Sequence, residues 1–390
     1  MKTKILLAVP NLDGYGVQHD IRTLMKYWDH DRFEVKMLLH SRTGDFADQF
    51  PPDMASVEID KYSSKIPKVR VISRLDGYRR AINEEKPDAV ISFVPFCNYG
   101  CIWAKITSKH RFGLAVSEHA HVSAAMTDKQ NMGNFFMRAY RLTFKSLYNS
   151  KFVDVVKCIA EESRQDLIKN HGIKEEKTIL IHNPVPMEEV SKKGAEAVEH
   201  PWFKDGQGRL PVLINVGRIS VQKQQDVLIK AFARAKKEID CRLVIVGGGD
   251  QKELKDIASE LGVSESVYFV GFDRNPWKWM AKSNLFVLSS IWEGLPCVLT
   301  EAMTLGLPVV STKCPSGPRE MLLEGQAGYL CEVGDMEGLA EKIVYALKNK
   351  EETRSRAEFA KKNLYRFEPT TVVKKYEELA LRLADMYRDK

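Results

Sequence analysis

Residues 211–232 read PVLINVGRISVQKQQDVLIKAF. The run from Pro211 to Val216 is short, unalternated and rich in Val, Ile and Leu. That is the composition of a strand buried on both faces. Gly217-Arg218 ends the run, and a helix begins over Asp226–Phe232. Strand, loop and helix in that order make half of a βαβ unit. The same order recurs along the chain. A first series of strands is expected at Lys4–Val9, Glu34–Leu39, Asp88–Phe93, Gly113–Ser117, Val153–Ile159 and Thr178–His182. A second is expected at Pro211–Val216, Arg242–Val246, Val267–Val270, Leu285–Ser289, Pro308–Ser311 and Gly328–Cys331. Helical patterns separate most of them. The expected fold is therefore α/β, with two doubly wound parallel-sheet domains in tandem. In such sheets ligands bind outside the carboxyl ends of the strands, so the loops after strands should carry the chemistry.

Length agrees with two domains, because 390 residues exceed one ordinary core. Residues 183–210 hold three prolines, three glycines and many charges, and read as the linker between the two series. Apolar residues at near-helical spacing over Thr370–Asp389 predict a terminal helix after Pro369. Hydrophobic content of 44% and charged content of 28% describe a soluble globular chain. No apolar run approaches the length of a membrane-spanning helix. The apolar run Ile5–Val9 is too short for a signal peptide, and no small-residue cleavage site follows it, so it reads as the first strand. Seven scattered cysteines form no C-x-x-C pair, which points away from zinc and disulfides and toward a reducing cytosol.

The net charge of +7 is unevenly spread. Residues 61–80 carry Lys61, Lys65, Lys68, Arg70, Arg74, Arg79 and Arg80 against Asp76 alone. Residues 135–148, FFMRAYRLTFKSLY, interleave aromatics with Arg138, Arg141 and Lys145. Such faces suit anionic lipid or nucleic acid. Solvated helices with their aromatics in the core would read the same way.

Four strand-end loops invite a phosphate or a base. Gly14 and Gly16 follow the first strand and open a helix, an arrangement that lets backbone N–H groups approach a ligand. His19 stands where the third glycine of a dinucleotide fingerprint would be, so a nicotinamide site is poorly supported. Arg218 and Lys223 flank the loop after Gly217, and two cations beside a positive helix end suit a diphosphate. Surface cations would look alike in isolation. In VIVGGGD, residues 244–250, Gly248 lies among three glycines, and Asp250 can cap the helix that follows. Gly271-Phe272 closes a strand, and an aromatic there could hold a flat base or simply belong to the core.

The fifth loop is WEGLPCVLTEAM, residues 292–303, in which Glu293 and Glu301 stand eight positions apart. Gly294-Leu295-Pro296 turns the chain, and a helix starts near Cys297. The N–H groups of Cys297 and Val298 would then be orphan donors at a positive helix end. A ligand with hydroxyls, then a diphosphate, then more hydroxyls fits that order, as in a nucleotide-diphosphate sugar. Helix capping and dipole balance would be the structural reading of the same glutamates.

Taken in order, the Gly14/Gly16 loop, VGRISVQKQQDVLIKAF, VIVGGGD, FVGF, EGLPCVLTEAM and GLPVVST-CPSGPRE resemble the retaining glycosyltransferases of family 4, over most of the chain. That resemblance implies the GT-B fold, two Rossmann-like domains facing a central cleft. It implies an acceptor-binding domain over residues 1–185, with the helix 370–390 packing back on it, and a nucleotide-sugar-binding domain over 186–369. It implies that Arg218 and Lys223 hold the diphosphate, Glu293 meets the donor sugar's 3- or 4-hydroxyl, Glu301 the ribose, and Phe272 the uracil. Gly16 should lie near the phosphates when the domains close. In SEHAH, residues 117–121, His119 rather than His121 matches the family's histidine beside the donor sugar and reaction centre. Many relatives have a second glycine where Pro296 stands, which removes one backbone N–H from the grip on the donor.

The implied activity is transfer of a hexose or N-acetylhexosamine from a UDP-sugar, with retention, to a hydroxyl of a glycan or a polyprenyl-diphosphate-linked acceptor. No cofactor or metal is expected. The only D-x-D string, Asp29-His30-Asp31, precedes a strand and so lies at the wrong end of a sheet. The basic segments, including Lys65, Lys68, Arg70, Arg138, Arg141 and Lys145, would dock a cytoplasmic enzyme peripherally on the inner membrane face. Two other classes fit part of the pattern. A UDP-sugar epimerase of similar shape would turn over UDP-sugar without an acceptor. Nucleic-acid binding would explain the basic charge but not the paired glutamates, and is not expected.

Overall fold

The computed structural model describes residues 2–13, 16–44, 47–50, 54–64, 67–127, 135–204 and 210–388, and in its helices the side chains of 67–71, 127 and 135–141 lie outside the description. It divides into two compact units, Met1–Pro184 with Pro369–Lys390, and Val185–Glu368.

The first unit holds seven strands: β1 (Thr3–Ala8), β2 (Phe33–Leu39), β3 (Ser56–Glu58), β4 (Ala89–Ser92), β5 (Gly113–Glu118), β6 (Val155–Cys158) and β7 (Thr178–Leu180). They lie in the order β3-β2-β1-β4-β5-β6-β7, and every pairing is parallel. Helices cover both faces, so alternate residues of one strand enter different cores. On β1, Ile5 and Leu7 pack with Ile21, Leu24, Val372 and Tyr376, while Leu6 and Ala8 pack with Tyr78, Ile82 and Ile102. This two-sided burial is why the strands read as continuous apolar runs. Each fully buried aliphatic side chain contributes roughly 1.5–3 kcal/mol. The helix Pro369–Asp385 belongs to this unit and buries Val372, Val373, Tyr376, Leu379, Ala380 and Leu383. Gly113 lets it approach closely, because a Cβ there would meet the Leu383 carbonyl oxygen at 2.4 Å.

The second unit holds β8 (Val212–Val216), β9 (Arg242–Val246), β10 (Val267–Gly271), β11 (Leu285–Leu288), β12 (Val309–Thr312) and β13 (Tyr329–Cys331). Their order is β10-β9-β8-β11-β12-β13, again wholly parallel. Chain direction across the sheet reverses between β8 and β11. That reversal is the topological switch point of the sheet, beside which ligands bind in doubly wound folds.

One strand lies outside the expected series, and one expectation needs correction. The three-residue edge strand β3 carries Ser56 and Glu58, and no apolar run marks it. Residues 183–210 are not a plain linker. Met187–Gly194 forms a helix whose acidic first turn (Glu188, Glu189) and basic last turn (Lys192, Lys193) complement its dipole. That helix packs on the helices Trp277–Lys282 and Cys297–Thr304 of the second unit. Among the described residues no helix is long and apolar enough to cross a membrane.

Candidate active site

The carboxyl ends of β8, β9 and β10 are stitched together through glycine backbone. Gly217 N donates to Val246 O at 2.9 Å, Ile219 N to Gly248 O at 2.8 Å, and Gly247 N to Gly271 O at 2.8 Å. A Cβ on Gly247 would lie 1.9 Å from the Gly217 carbonyl oxygen, so only glycine fits there. Gly248 rests against Phe272, which is 60% exposed just past the end of β10. Asp250 Oδ1 accepts from Lys252 N at 2.9 Å and fixes the start of the helix Lys252–Glu260.

After Gly217 the chain runs through a 3-10 turn, Val221–Lys223, and then Gln224 adopts a left-handed conformation with φ of 46°. That residue redirects the chain into the helix Gln225–Lys236. The Arg218 side chain is exposed, and its carbonyl accepts from Gln225 Nε2 at 3.1 Å. The Lys223 stem passes over Gly217, within 3.5 Å of where a Cβ would stand.

The β11 loop is bound to this one. Ile291 N donates to Gln222 O at 2.8 Å, Gln222 Nε2 to Trp292 O at 2.9 Å, and Ser289 Oγ to Lys223 O at 2.7 Å. Lys223 Nζ meets Glu293 Oε1 at 2.6 Å, and Ser290 Oγ donates to the same oxygen at 2.6 Å. Glu293 is only 6% exposed. The two residues assigned from sequence to separate parts of a ligand are thus ion-paired with each other.

A third loop, after β12, backs the turn. Pro315 O accepts from Glu293 N at 3.0 Å, and buried Ser316 donates from Oγ to Gly294 O at 2.7 Å. Ser316 and Gly317 both have positive φ, 68° and 96°. A Cβ on Gly317 would stand 2.5 Å from the Pro296 ring, so this loop lies flat on Gly294-Leu295-Pro296. Leu295 and Pro296 are buried, and the helix Cys297–Thr304 starts directly after them, with Cys297 and Val298 half-buried in its first turn.

Glu301 lies in the second turn of that helix. Burial pushes its carboxyl up to about 7, and the nearby Trp277 indole pulls the other way. The buried Trp277 indole N–H lies beside this carboxyl, with no partner at ordinary hydrogen-bond length among the described residues. Hydrogen bonds donated to this carboxyl would stabilise its ionised form and lower it again.

In the first unit, Gly16 opens the helix Gly16–Tyr27, and Gly14 lies outside the described residues. His119 follows β5, with Nε2 3.0 Å from Ser117 Oγ and its ring 5.6 Å from that of Phe93. Burial, and then the nearby Lys157 ammonium, hold His119 well below the usual imidazole range. His121 instead joins a capping network. Its Nδ1 is 3.6 Å from Asp166, whose carboxylate also accepts from Ser123 N and Asn170 Nδ2.

Comparison with known proteins bears on both units. The sequence model described as Glycosyltransferase Family 4 matches residues 15–189, and the one described as Glycosyl transferases group 1 matches residues 199–363. The chain belongs to glycosyltransferase family 4. Among similar family members is an uncharacterised glycosyltransferase of Methanocaldococcus jannaschii, 31% identical over 65% of this chain and 62% of that protein. Another is N-acetylgalactosamine-N,N'-diacetylbacillosaminyl-diphospho-undecaprenol 4-alpha-N-acetylgalactosaminyltransferase of Campylobacter jejuni, 33% identical over 55% of this chain and 60% of that one. The aligned part thus spans about three-fifths of the length of these two relatives. In fold, Anabaena HepE, solved in complex with UDP-glucose, superposes with a TM-score of 0.79 at 21% identity, covering 97% of this chain and all of that one. The two parallel sheets are those of the GT-B fold.

In the first unit of this family member, one group of residues has no counterpart among the sequence motifs. Lys157 on β6 is fully buried, and among the described residues no hydrogen-bond partner reaches its Nζ. It lies opposite Ser117 in the sheet register, over the rings of Tyr376 at 5.1 Å and Phe93 at 5.6 Å. Burial lowers its amine to about 7, against the opposing pull of buried Asp20. A lysine inside the apolar run VVKCIA was the available signal.

The basic segments are less free than their composition implies. Arg74 is paired with Asp60 at 2.8 Å, and Arg79 and Arg80 share Asp76. Lys145 is exposed. Lys65 lies outside the described residues, as do the side chains of Lys68, Arg70, Arg138 and Arg141.

Proposed function

We propose that the protein transfers a hexose or N-acetylhexosamine from a UDP-sugar to a hydroxyl of a glycan or lipid-linked acceptor, with retention at C1. The observation that carries this reading is the grouping at the switch point of the second sheet. Lys223, Glu293 and the start of the helix bearing Glu301 meet there, beside exposed Arg218. In this reading Glu301 accepts from the ribose hydroxyls, Phe272 borders the uracil, and backbone at Gly217 and Gly248 admits the nucleotide. The first-turn N–H groups of the helix Cys297–Thr304 and the cations Arg218 and Lys223 take the diphosphate. Leu295 and Pro296 shape the turn that presents Glu293 to the sugar. Lys223 would then divide its charge between Glu293 and the phosphate, so sugar and leaving group are sensed by one connected pair.

Departure of the pyrophosphate breaks its C1–O bond and leaves negative charge on the phosphate. Cationic side chains already in place stabilise that charge without a metal. The acceptor oxygen bonds to C1 on the same face, and its proton passes to the departing phosphate oxygen. Gly16 and His119 of the first unit belong to the proposal through the family resemblance. A neutral His119 imidazole suits a hydrogen bond to a sugar hydroxyl.

The relatives support donor and acceptor kinds. The Campylobacter protein's name specifies a diphospho-undecaprenol-linked acceptor, and the Anabaena protein was solved with UDP-glucose. An epimerase has no counterpart among them. A peripheral position on the inner membrane face is supported by Lys145 and by the exposed Ile72 (71%) and Leu142 (83%), which lie on the two basic helices.

The test is UDP release from UDP-GlcNAc, UDP-GalNAc, UDP-Glc and UDP-Gal, with and without a polyprenyl-diphosphate-linked acceptor. Acceptor-dependent release from at least one donor is expected. Turnover of UDP-sugar to an isomer without acceptor would replace this reading with the epimerase. Co-sedimentation with anionic vesicles, reduced by charge reversal at Arg138 and Arg141, tests the membrane position, and salt-insensitive absence of binding rejects it.

A further inference from the structure

We infer that Ser290 is a positioning residue for the donor sugar: with Lys223 it saturates one oxygen of Glu293 and leaves the other to read a single sugar hydroxyl. The inference rests on the donor reading above and extends it to a residue outside the paired glutamates.

A carboxylate has two oxygens with about four acceptor positions. At Glu293 the two side-chain donors converge on Oε1, Lys223 Nζ and Ser290 Oγ each at 2.6 Å. Neither is placed on Oε2. Ser290 is fully buried, and hydrogen bonds on both sides hold its segment. Its carbonyl accepts from Thr312 Oγ1 at 2.7 Å, which ties it to the end of β12. The neighbouring Ser289 Oγ donates to Lys223 O at 2.7 Å, which ties the same segment to the β8 loop. The Glu293 main chain is held as well, through its N–H to Pro315 O.

The carboxylate plane is therefore fixed at one oxygen by a neutral donor that stays in place whether or not ligand is bound. Lys223 is the donor that a diphosphate would contest. When its ammonium leans toward phosphate, Ser290 alone retains Oε1, and Oε2 keeps its direction. Without the Ser290 hydroxyl, donor binding would loosen the carboxylate at the moment it must discriminate. Epimeric sugars differ by the direction of one hydroxyl, so loss of a fixed acceptor should cost selectivity as well as rate.

The experiment compares wild type, Ser290→Ala and Ser290→Cys. It measures the Kd for UDP, which has no sugar, and kcat/KM for the donors of each epimeric pair, UDP-Glc with UDP-Gal and UDP-GlcNAc with UDP-GalNAc. Expected for Ser290→Ala are a UDP Kd within about twofold of wild type, a drop of about tenfold or more in kcat/KM for the preferred donor, and a narrowed epimer ratio. Ser290→Cys, with its weak S–H donor, should fall between. Unchanged kcat/KM and epimer ratio in Ser290→Ala overturn the inference, and so does an equal loss of UDP and UDP-sugar binding, which would mean that Ser290 acts through the fold. A wild type that binds no UDP overturns the donor reading itself, and this inference with it.

Discussion

Replacing Glu301 by Gln should stabilise the ligand-free protein while it abolishes tight UDP binding. In the unfolded chain Glu301 ionises near its ordinary 4.5, whereas burial raises it to about 7 in the folded protein. Between those values the folded state binds more protons than the unfolded one, so stability falls as pH rises from 4.5 to 7 and stays low above. The full penalty of an ionised Glu301 at pH 8 is about 3 kcal/mol. A glutamine amide removes that charge but must itself be desolvated beside Trp277, which returns part of the gain. The expected net effect is about 1–3 kcal/mol greater stability at pH 8, shrinking toward zero by pH 4.5. Urea unfolding of wild type and Glu301→Gln at several pH values between 4.5 and 8.5 measures this directly. The same group predicts that UDP binding releases a proton near pH 6.5, because ribose hydroxyls stabilise the carboxylate. Calorimetry in buffers of different ionisation enthalpy reads that release. Equal stability of the two proteins at every pH, or UDP binding without proton release in wild type, would refute the reasoning.

Other expectations follow from single contacts. Lys223→Met should lower transfer by about 10²-fold or more, as expected for lost charge stabilisation of a leaving group, measured as UDP release at saturating donor. Gly247→Ala forces a methyl group against the Gly217 carbonyl, with 1.9 Å available, and should cost at least about 1–3 kcal/mol in denaturant unfolding. By NMR, His119 should remain neutral at pH 6.5, since burial and Lys157 both lower it; in Lys157→Met its titration midpoint should rise but stay below the ordinary value, because burial is the larger cause.

The parallel α/β character was legible because strands buried on two faces cannot hide their composition. Boundaries moved by a residue or two, as at Thr178–Leu180, where the expected strand ran on to His182. What escaped was small or disguised. Strand β3 has one buried residue, Val57, and takes its place from its pairing with β2. The helix Met187–Gly194 lies in a segment whose prolines and charges read as linker, though its charges are ordered for the helix dipole. At the candidate site, the loops were legible as strand ends, but the Lys223–Glu293 pair was not. Those residues are 70 positions apart, and they meet only because β8 and β11 are neighbours in the sheet. Lys157 escaped for another reason: a lysine within a short apolar run reads equally as the solvent-facing residue of a strand.

The first strand and the last helix share one unit, so residues 185–368 are spliced into the other unit as a cassette, entered at Pro184/Val185 and left at Glu368/Pro369. Two peptide bonds delimit it, and its sheet, its hydrophobic interior and the side chains of Lys223, Trp277, Ser290, Glu293 and Glu301 come from within those limits. Recombination at those two junctions would exchange the half carrying that site between related chains without cutting a strand or a helix of either half.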